Sequence, residues 1–306
     1  MSAVGAGAVQ VAGIALAPLL PGTIQSVKAR LQGRRGTSPL QPYRVLRRLW
    51  GKTSVDVEGA GVIYRAAPPL AAACLLVALA LVPIAGDSGD WGTGNDALVL
   101  VGLLALARFA VAAAAWDTAN GFALLGSARD LMLAVFGEPL LVLVLLVAAL
   151  PAGSTDLVAM SEAAHASDIW REPAHWCGAL AMAIVVLLET GRQPIDNPDT
   201  HLELTMIHEG PLLEYAGRDL ALLHWTAAAR HWVALVLAAE LFLPHWGGFA
   251  ERLTVLTAVV VALCAVLAVT ETVQAKMRIL RVPGMLAMGA LIALVGLGTW
   301  IAGGGT

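Results

Sequence analysis

The twenty residues Leu131-Met-Leu-Ala-Val-Phe-Gly-Glu-Pro-Leu-Leu-Val-Leu-Val-Leu-Leu-Val-Ala-Ala-Leu150 hold one charged side chain, Glu138, with Pro139 directly after it. An apolar run of about 20 residues is the helix length that crosses a bilayer core. Seven further stretches share this character. Spans are therefore expected near residues 3–25, 66–86, 97–115, 130–151, 174–190, 222–244, 253–271 and 283–302. Of the 306 residues, 58% are hydrophobic and 13% charged, and mean hydropathy is +0.76. Soluble domains hold about 25% charged residues. This deficit excludes a soluble enzyme and a nucleic-acid-binding protein. The expected fold is all-α: a polytopic membrane protein of about eight transmembrane helices, forming one transmembrane domain over residues 1–306. Basic residues follow the first apolar stretch and none precedes it, as in a retained anchor rather than a cleaved signal.

Lys and Arg set the orientation. Sixteen of the nineteen fall in odd-numbered loops, nine of them between Lys28 and Arg65, and Arg230 is counted with the fifth loop. The positive-inside rule then places the odd loops in the cytoplasm and both termini outside. Cys74, Cys177 and Cys264 lie singly in apolar runs, with no CxxC-type spacing for a metal or cluster. No cofactor is expected in this chain. Any electrons run through a partner.

Two cytoplasmic loops carry most of the remaining chemistry. The basic loop, residues 28–65, contains Arg30, Arg34, Arg35 and Gly36, then a stretch placing Val45, Leu46, Leu49 and Trp50 on one helical side and Arg44, Arg47 and Arg48 on others. That pattern predicts an amphipathic helix lying in the membrane interface. The acidic loop, residues 190–221, carries Asp196, Asp199, Glu203, Glu209 and Glu214, with His201 and His208 among them. Asn197-Pro198-Asp199 reads as a helix start, and Gly210-Pro211 as the end of that helix and the start of another. The two histidines lack a third ligand pattern, so no metal site is expected.

An ionisable group inside a span is costly and is a functional candidate by default. Glu138 stands about eight residues into the fourth expected span, ~12 Å from its cytoplasmic end at ~1.5 Å per residue. Pro139 removes a helical hydrogen bond beside it and permits a kink. Glu138 is thus expected to relay protons. Glu189 and Glu271 close the fifth and seventh spans, and Asp117, Arg129 and Asp130 flank the third loop. Arg108 lies within the third span and requires an acidic partner; Arg129 is expected in a structural ion pair. Glu240, near the outer end of the sixth span, is expected to reach the interface. An energy-coupling subunit, a secondary ion transporter and an intramembrane transferase all accommodate these features. A single Asp196-x-x-Asp199 is a poor match to paired Asp-rich transferase motifs. No second-half counterpart of Glu138-Pro139 supports a transporter repeat.

Several segments together resemble one family: Ala29-Arg-Leu-Gln-Gly-Arg-Arg-Gly36, Asp117-Thr118, Gly126-Ser-Ala-Arg-Asp130, Gly137-Glu-Pro139, Glu189-Thr-Gly-Arg192, Pro194-Ile-Asp-Asn-Pro-Asp-Thr-His-Leu-Glu203, His208-Glu209 and Glu214-Tyr-Ala-Gly217. They resemble the respiratory complex I subunit 1 (NuoH) family, in its branch within membrane-bound group 4 nickel–iron hydrogenases of the formate hydrogenlyase and hydrogenase-4 type. The resemblance implies a membrane anchor without chemistry of its own, sited in the inner (cytoplasmic) membrane. The implied partners are the hydrogenase large subunit with its Ni-Fe centre, the small subunit with iron–sulfur clusters, and antiporter-like membrane subunits. Glu138 and Glu189 would begin the proton route, with Asp117 and Asp130 beside it. Asp196, Asp199, Glu203, Glu209 and Glu214 would line the loop facing the hydrogenase module. Arg30, Arg34, Arg35 and Gly36 would form the opposite docking surface. Quinone-reducing members carry Arg-Arg-Gly-Pro in the first loop, whereas Thr37 follows Gly36 here. That departure favours the hydrogenase-like branch over a quinone site.

Overall fold

The computed structural model describes residues 3–87, 94–165, 167–197, 206–243 and 247–303. Among these residues it contains helices, turns and isolated bridges, with no strand. The α-helices are α1 (Ala3–Leu16), α2 (Leu19–Leu31), α3 (Gln41–Trp50), α4 (Val62–Leu81), α5 (Ala97–Asp117) and α6 (Gly121–Ala149). They continue with α7 (Leu157–Ala164), α8 (Pro173–Glu189), α9 (Gly217–Phe242), α10 (Phe249–Val273) and α11 (Val282–Ala302).

The eight expected apolar stretches all become helices, in three grades. Six are long and apolar enough to cross a membrane: α4, α5, α6, α9, α10, and α11 with the 3-10 turn that leads into it. The first stretch is broken into α1 and α2, with a bend of 48°. Pro18 stands at that break, where it cannot donate the backbone hydrogen bond that would continue a helix. The fifth, α8, has 17 residues and spans ~26 Å at ~1.5 Å per residue. It packs deeply among α6, α9 and α11. At its Gly178 an added Cβ would lie 2.6 Å from the Phe242 ring and 2.9 Å from Val147.

Side-chain caps fix where the long helices begin. Asp96 accepts from the Leu98 N–H to start α5, and Asn120 accepts from Phe122 and Ala123 to start α6. The α6 start lies nine residues before the expected boundary. At 29 residues and ~43 Å, α6 outreaches a bilayer core of about 30 Å. Asp130, expected at the edge of the span, and Arg129, counted with the third loop, are therefore both helix-interior residues. The α9 boundary moves in the same sense: α9 starts at Gly217, and Arg230 lies thirteen residues inside it, ~20 Å from its start. The expected assignment of Arg230 to the fifth loop is thus corrected; it belongs to the bundle interior.

The amphipathic helix expected in the basic loop is α3. Its Val45, Leu46 and Leu49 are half-buried while Arg44, Arg47 and Arg48 face outward; Trp50, expected on the apolar side, is 56% exposed. Tyr43 ties α3 to the bend below it, its hydroxyl donating to the Ala15 carbonyl at 2.6 Å. The two helices expected in the acidic loop fare differently. The first is expected to run to Gly210; residues 198–205 lie outside the described residues, and residues 206–209 form loop and bends and not helix, which corrects its C-terminal part. At the second, Pro211 opens a single 3-10 turn, Gly210–Leu212, instead of an α-helix. That turn lies against α6: the Cα atom of Gly210 sits where a Cβ on Gly126 would come within 2.7 Å. Two glycines facing each other allow this contact of backbone on backbone.

Candidate functional site

Arg108 organises the interior. Its guanidinium reaches three carboxylates from two other helices: Nη2 to Glu189 Oε1 at 2.8 Å, Nη1 to Glu138 Oε1 at 3.3 Å, and Nε to Asp130 Oδ2 at 3.8 Å. The sequence required an acidic partner for this residue without naming it. The fold supplies three, because α5 faces α6 over much of their lengths and the C-terminus of α8 points into the same gap. Glu189 Oε2 is taken by Arg230 Nη1 at 2.7 Å, and Arg230 also donates to the Leu104 carbonyl at 2.7 Å. Removing one partner of such a buried set leaves an uncompensated charge, at a cost of about 3–5 kcal/mol.

The two glutamates differ in how they are held. Glu189 is 4% exposed and has a guanidinium on each oxygen. Glu138 is 32% exposed and has a single, longer contact to Arg108. Pro139 removes the helical donor to the Val135 carbonyl, so a further polar group lies near Glu138 on the flank of α6. Glu138 is thus the less enclosed and more loosely held of the two.

Beyond Asp130 the network continues into the acidic loop. His208 Nε2 stands 3.7 Å from Asp130 Oδ1, and its Nδ1 3.2 Å from Asp196 Oδ2. Asp196 Oδ1 receives Lys276 Nζ at 2.7 Å. Burial would raise the Asp196 pKa, but His208 and Lys276 outweigh it and hold the carboxylate below its ordinary value. The expected exposure of Asp196 toward a partner is corrected, since it is buried under the loop. A cavity of about 200 Å³ lies where these groups converge, bounded by Arg108, Asp130, Glu189, His208, Arg230 and His231 among others. It has room for several water molecules, with charged and imidazole groups set in walls that are otherwise largely apolar.

A second buried cluster joins α2, α10 and the acidic loop. Glu271 receives Arg192 at 2.9 Å on one oxygen and Lys28 at 3.1 Å on the other. Lys28 and Arg192, counted in the sequence as loop cations, are thus interior residues. Their spacing gave no sign of this, because burial of a charge depends on a partner distant in the chain.

The remaining candidates are dispersed. Asp117 accepts from the Gly61 and Tyr64 N–H groups at 2.8 and 3.0 Å, capping α4. Glu214 receives the Asn120 amide. Glu209 lines the cavity. Arg129, expected in an ion pair, donates to the Met206 carbonyl at 3.4 Å. Arg30, Arg34, Arg35 and Gly36 are exposed, and Gly36 lies close on Ala29 of α2. Asp199 and Glu203 lie outside the described residues. Glu240 does not reach the interface: it is fully buried and accepts from Ala85 N–H at 2.6 Å, Gly86 N–H at 3.2 Å and Ser161 Oγ at 2.8 Å. Among the described residues no group of three or more His, Cys, Asp or Glu could hold a metal ion.

Residues 6–301 match the NADH dehydrogenase family over nearly the entire chain. This chain belongs to that family. Within the family, it is 33% identical over 298 residues to hydrogenase-4 component C of Escherichia coli (strain K12), covering 94% of this chain and 92% of that protein. Formate hydrogenlyase subunit 4 of the same strain is 32% identical over 233 residues, 76% of this chain and 75% of that one. The fold of the NADH dehydrogenase family member described here is similar to a subunit of the membrane-bound sulfane sulfur reductase, an archaeal respiratory membrane complex. The TM-score is 0.82 at 21% identity, over 95% of this chain and 96% of that one.

Proposed function

We propose that this chain is the membrane anchor and ion-coupling subunit of a complex I-like redox complex of the hydrogenase-4 or formate hydrogenlyase type. It is seated in the inner membrane with both termini outside. Hydrogen chemistry occurs at a nickel–iron centre on a partner large subunit, fed through iron–sulfur clusters on a partner small subunit. The chain joins that chemistry to ion movement toward antiporter-like membrane subunits.

The observation that carries this reading is the contrast between Glu138 and Glu189. One acid is locked inside between two guanidinium groups; the other is tied to the same Arg108 but is 32% exposed within a spanning helix. A carboxylate open to lipid costs several kcal/mol, so a neighbouring membrane subunit over this flank is the economical arrangement. The kinship with two hydrogenase subunits and the exposed Arg30, Arg34 and Arg35 on the cytoplasmic side support a docked redox module.

Glu138→Gln tests the reading. In the intact complex it abolishes coupled ion movement while partner electron transfer stays measurable; unchanged ion movement overturns the assignment. Arg34→Ala with Arg35→Ala weakens retention of the peripheral subunits on washed membranes, and full retention after a salt wash counts against the docking role. Flux through the purified chain alone in liposomes would favour a stand-alone transporter instead.

A further inference from the structure

We propose that His208 is the proton-carrying bridge between the cytoplasmic loop and the intramembrane network around Arg108. The inference rests on the ion-coupling reading above and names the group through which a proton enters that network.

Geometry carries the argument. His208 is held between two carboxylates of different elements, Asp196 in the loop and Asp130 on α6, one facing each ring nitrogen at 3.2 and 3.7 Å. Asp130 in turn faces Arg108. His208 thus links the Lys276–Asp196 pair of the loop to the Asp130–Arg108 contact of the bundle, and a proton on it places positive charge between two carboxylates where a low dielectric makes that matter most. Glu209 beside it in the loop, and His224 and His231 on α9, face the same cavity. Arg129 neighbours Asp130 on α6 but turns to the Met206 carbonyl.

The seat is built for this ring. Gly191, at φ +58°, presents no side chain, and a Cβ there would lie 3.1 Å from His208 Nδ1. The side chain is 29% exposed, while its Nε2 is buried, has no hydrogen-bond partner among the described residues and faces Asp130, so the ring touches solvent with one edge and the interior with the other. Burial alone would favour the neutral imidazole; Asp196 and Asp130 outweigh it and hold the His208 pKa above the ordinary 6.5.

The step moves one proton and no electrons. The Nε2–H bond breaks and an O–H bond forms on Asp130 Oδ1, directly after a small approach or through one cavity water. His208 keeps its Nδ1–H toward Asp196, and an outward movement of the ring then exposes Nε2, buried at rest, to cytoplasmic water that returns a proton to it. Asp130, once neutral, releases its hold on Arg108, which shifts the balance of that guanidinium toward Glu138 and Glu189.

Two variants in the complete complex, reconstituted in lipid, test this. Infrared pH-difference spectra of the unaltered complex show an imidazole transition with an apparent pKa above 6.5, accompanied by a carboxylate change; His208→Gln removes both. A carboxylate change that persists unaltered in His208→Gln overturns the proposal. Ions moved per electron transferred fall at least tenfold in His208→Gln and also in His208→Lys, which restores the positive charge but not a group titrating near neutrality. Wild-type coupling in His208→Lys overturns the proposal, since a fixed charge would then suffice. These failures leave the Glu138→Gln result standing, so the bridge and the coupling reading are judged separately.

Discussion

Arg108 and Glu189 are 81 residues apart in the chain, yet their side chains meet at 2.8 Å inside the bundle, both nearly free of solvent. The pair is the hub of the site: through Arg108 it reaches Glu138 and Asp130, and through Glu189 it reaches Arg230.

Replacing this hub has graded consequences. Arg108→Met leaves three carboxylates without their shared cation, and the bundle is destabilised by about 3–5 kcal/mol. Arg108→Lys keeps the charge but loses the planar fork that serves three partners, so a smaller loss is expected. Thermal unfolding of the purified complex in lipid checks the order: wild type highest, Lys intermediate, Met lowest.

The contact of Gly126 with Gly210 locks the acidic loop to α6. A Cβ at Gly126 would stand 2.7 Å from the Gly210 Cα, and backbone cannot move aside as a side-chain tip can. Gly126→Val should cost about 1–3 kcal/mol and lift the loop off its seat. Faster hydrogen exchange over residues 206–215 in the variant is the expected readout.

The same loop has a pH window. Asp196, with its pKa held below 3.8, contributes stability that is present above that value and lost as pH falls through its depressed folded value. His208, held above 6.5, contributes stability that is complete below 6.5 and lost as pH rises through its raised folded value. The loop is therefore held most firmly at roughly pH 4 to 6.5, between the two unperturbed values. Exchange protection over residues 206–215, corrected for intrinsic rates, should decline as pH is raised well above this window. It should decline less in His208→Gln, which has lost the titrating group.

Glu240 has a different task. It holds the Ala85–Gly86 turn and Ser161 together near the C-terminal end of α9, accepting a hydrogen bond from each of Ala85 N–H, Gly86 N–H and Ser161 Oγ. Glu240→Ala strands buried donors at about 1–3 kcal/mol for each one left unsatisfied. A lower unfolding temperature with an unchanged ratio of ions moved per electron is expected, because Glu240 makes none of the contacts of the Arg108 network.

The exit of the acidic loop is held by a reciprocal tyrosine pair. Tyr215 donates to the Tyr64 carbonyl at 2.8 Å, Tyr64 donates to the Glu214 carbonyl at 2.9 Å, and the rings stack at 4.5 Å. Tyr215→Phe keeps the stacking and loses one hydrogen bond, leaving the buried Tyr64 carbonyl to lose stability of about 1–2 kcal/mol. Denaturation of the variant complex measures this directly.

The sequence by itself determined the membrane class, the order of the eight apolar stretches that become helices, and the amphipathic helix α3. Each of these follows from composition or from a period along the chain, and such properties are local. It did not determine which charges lie inside. Along the chain Lys28, Arg192 and Arg230 look like loop cations and Glu240 like an interfacial acid, because hydropathy averages over a window and does not register a single buried charge. Whether an ionisable group can remain inside depends on an opposite charge delivered by another helix, and that is a property of packing alone. Tertiary structure therefore decided the partners of Arg108, the inward turn of Asp196, and the position of His208 between two carboxylates.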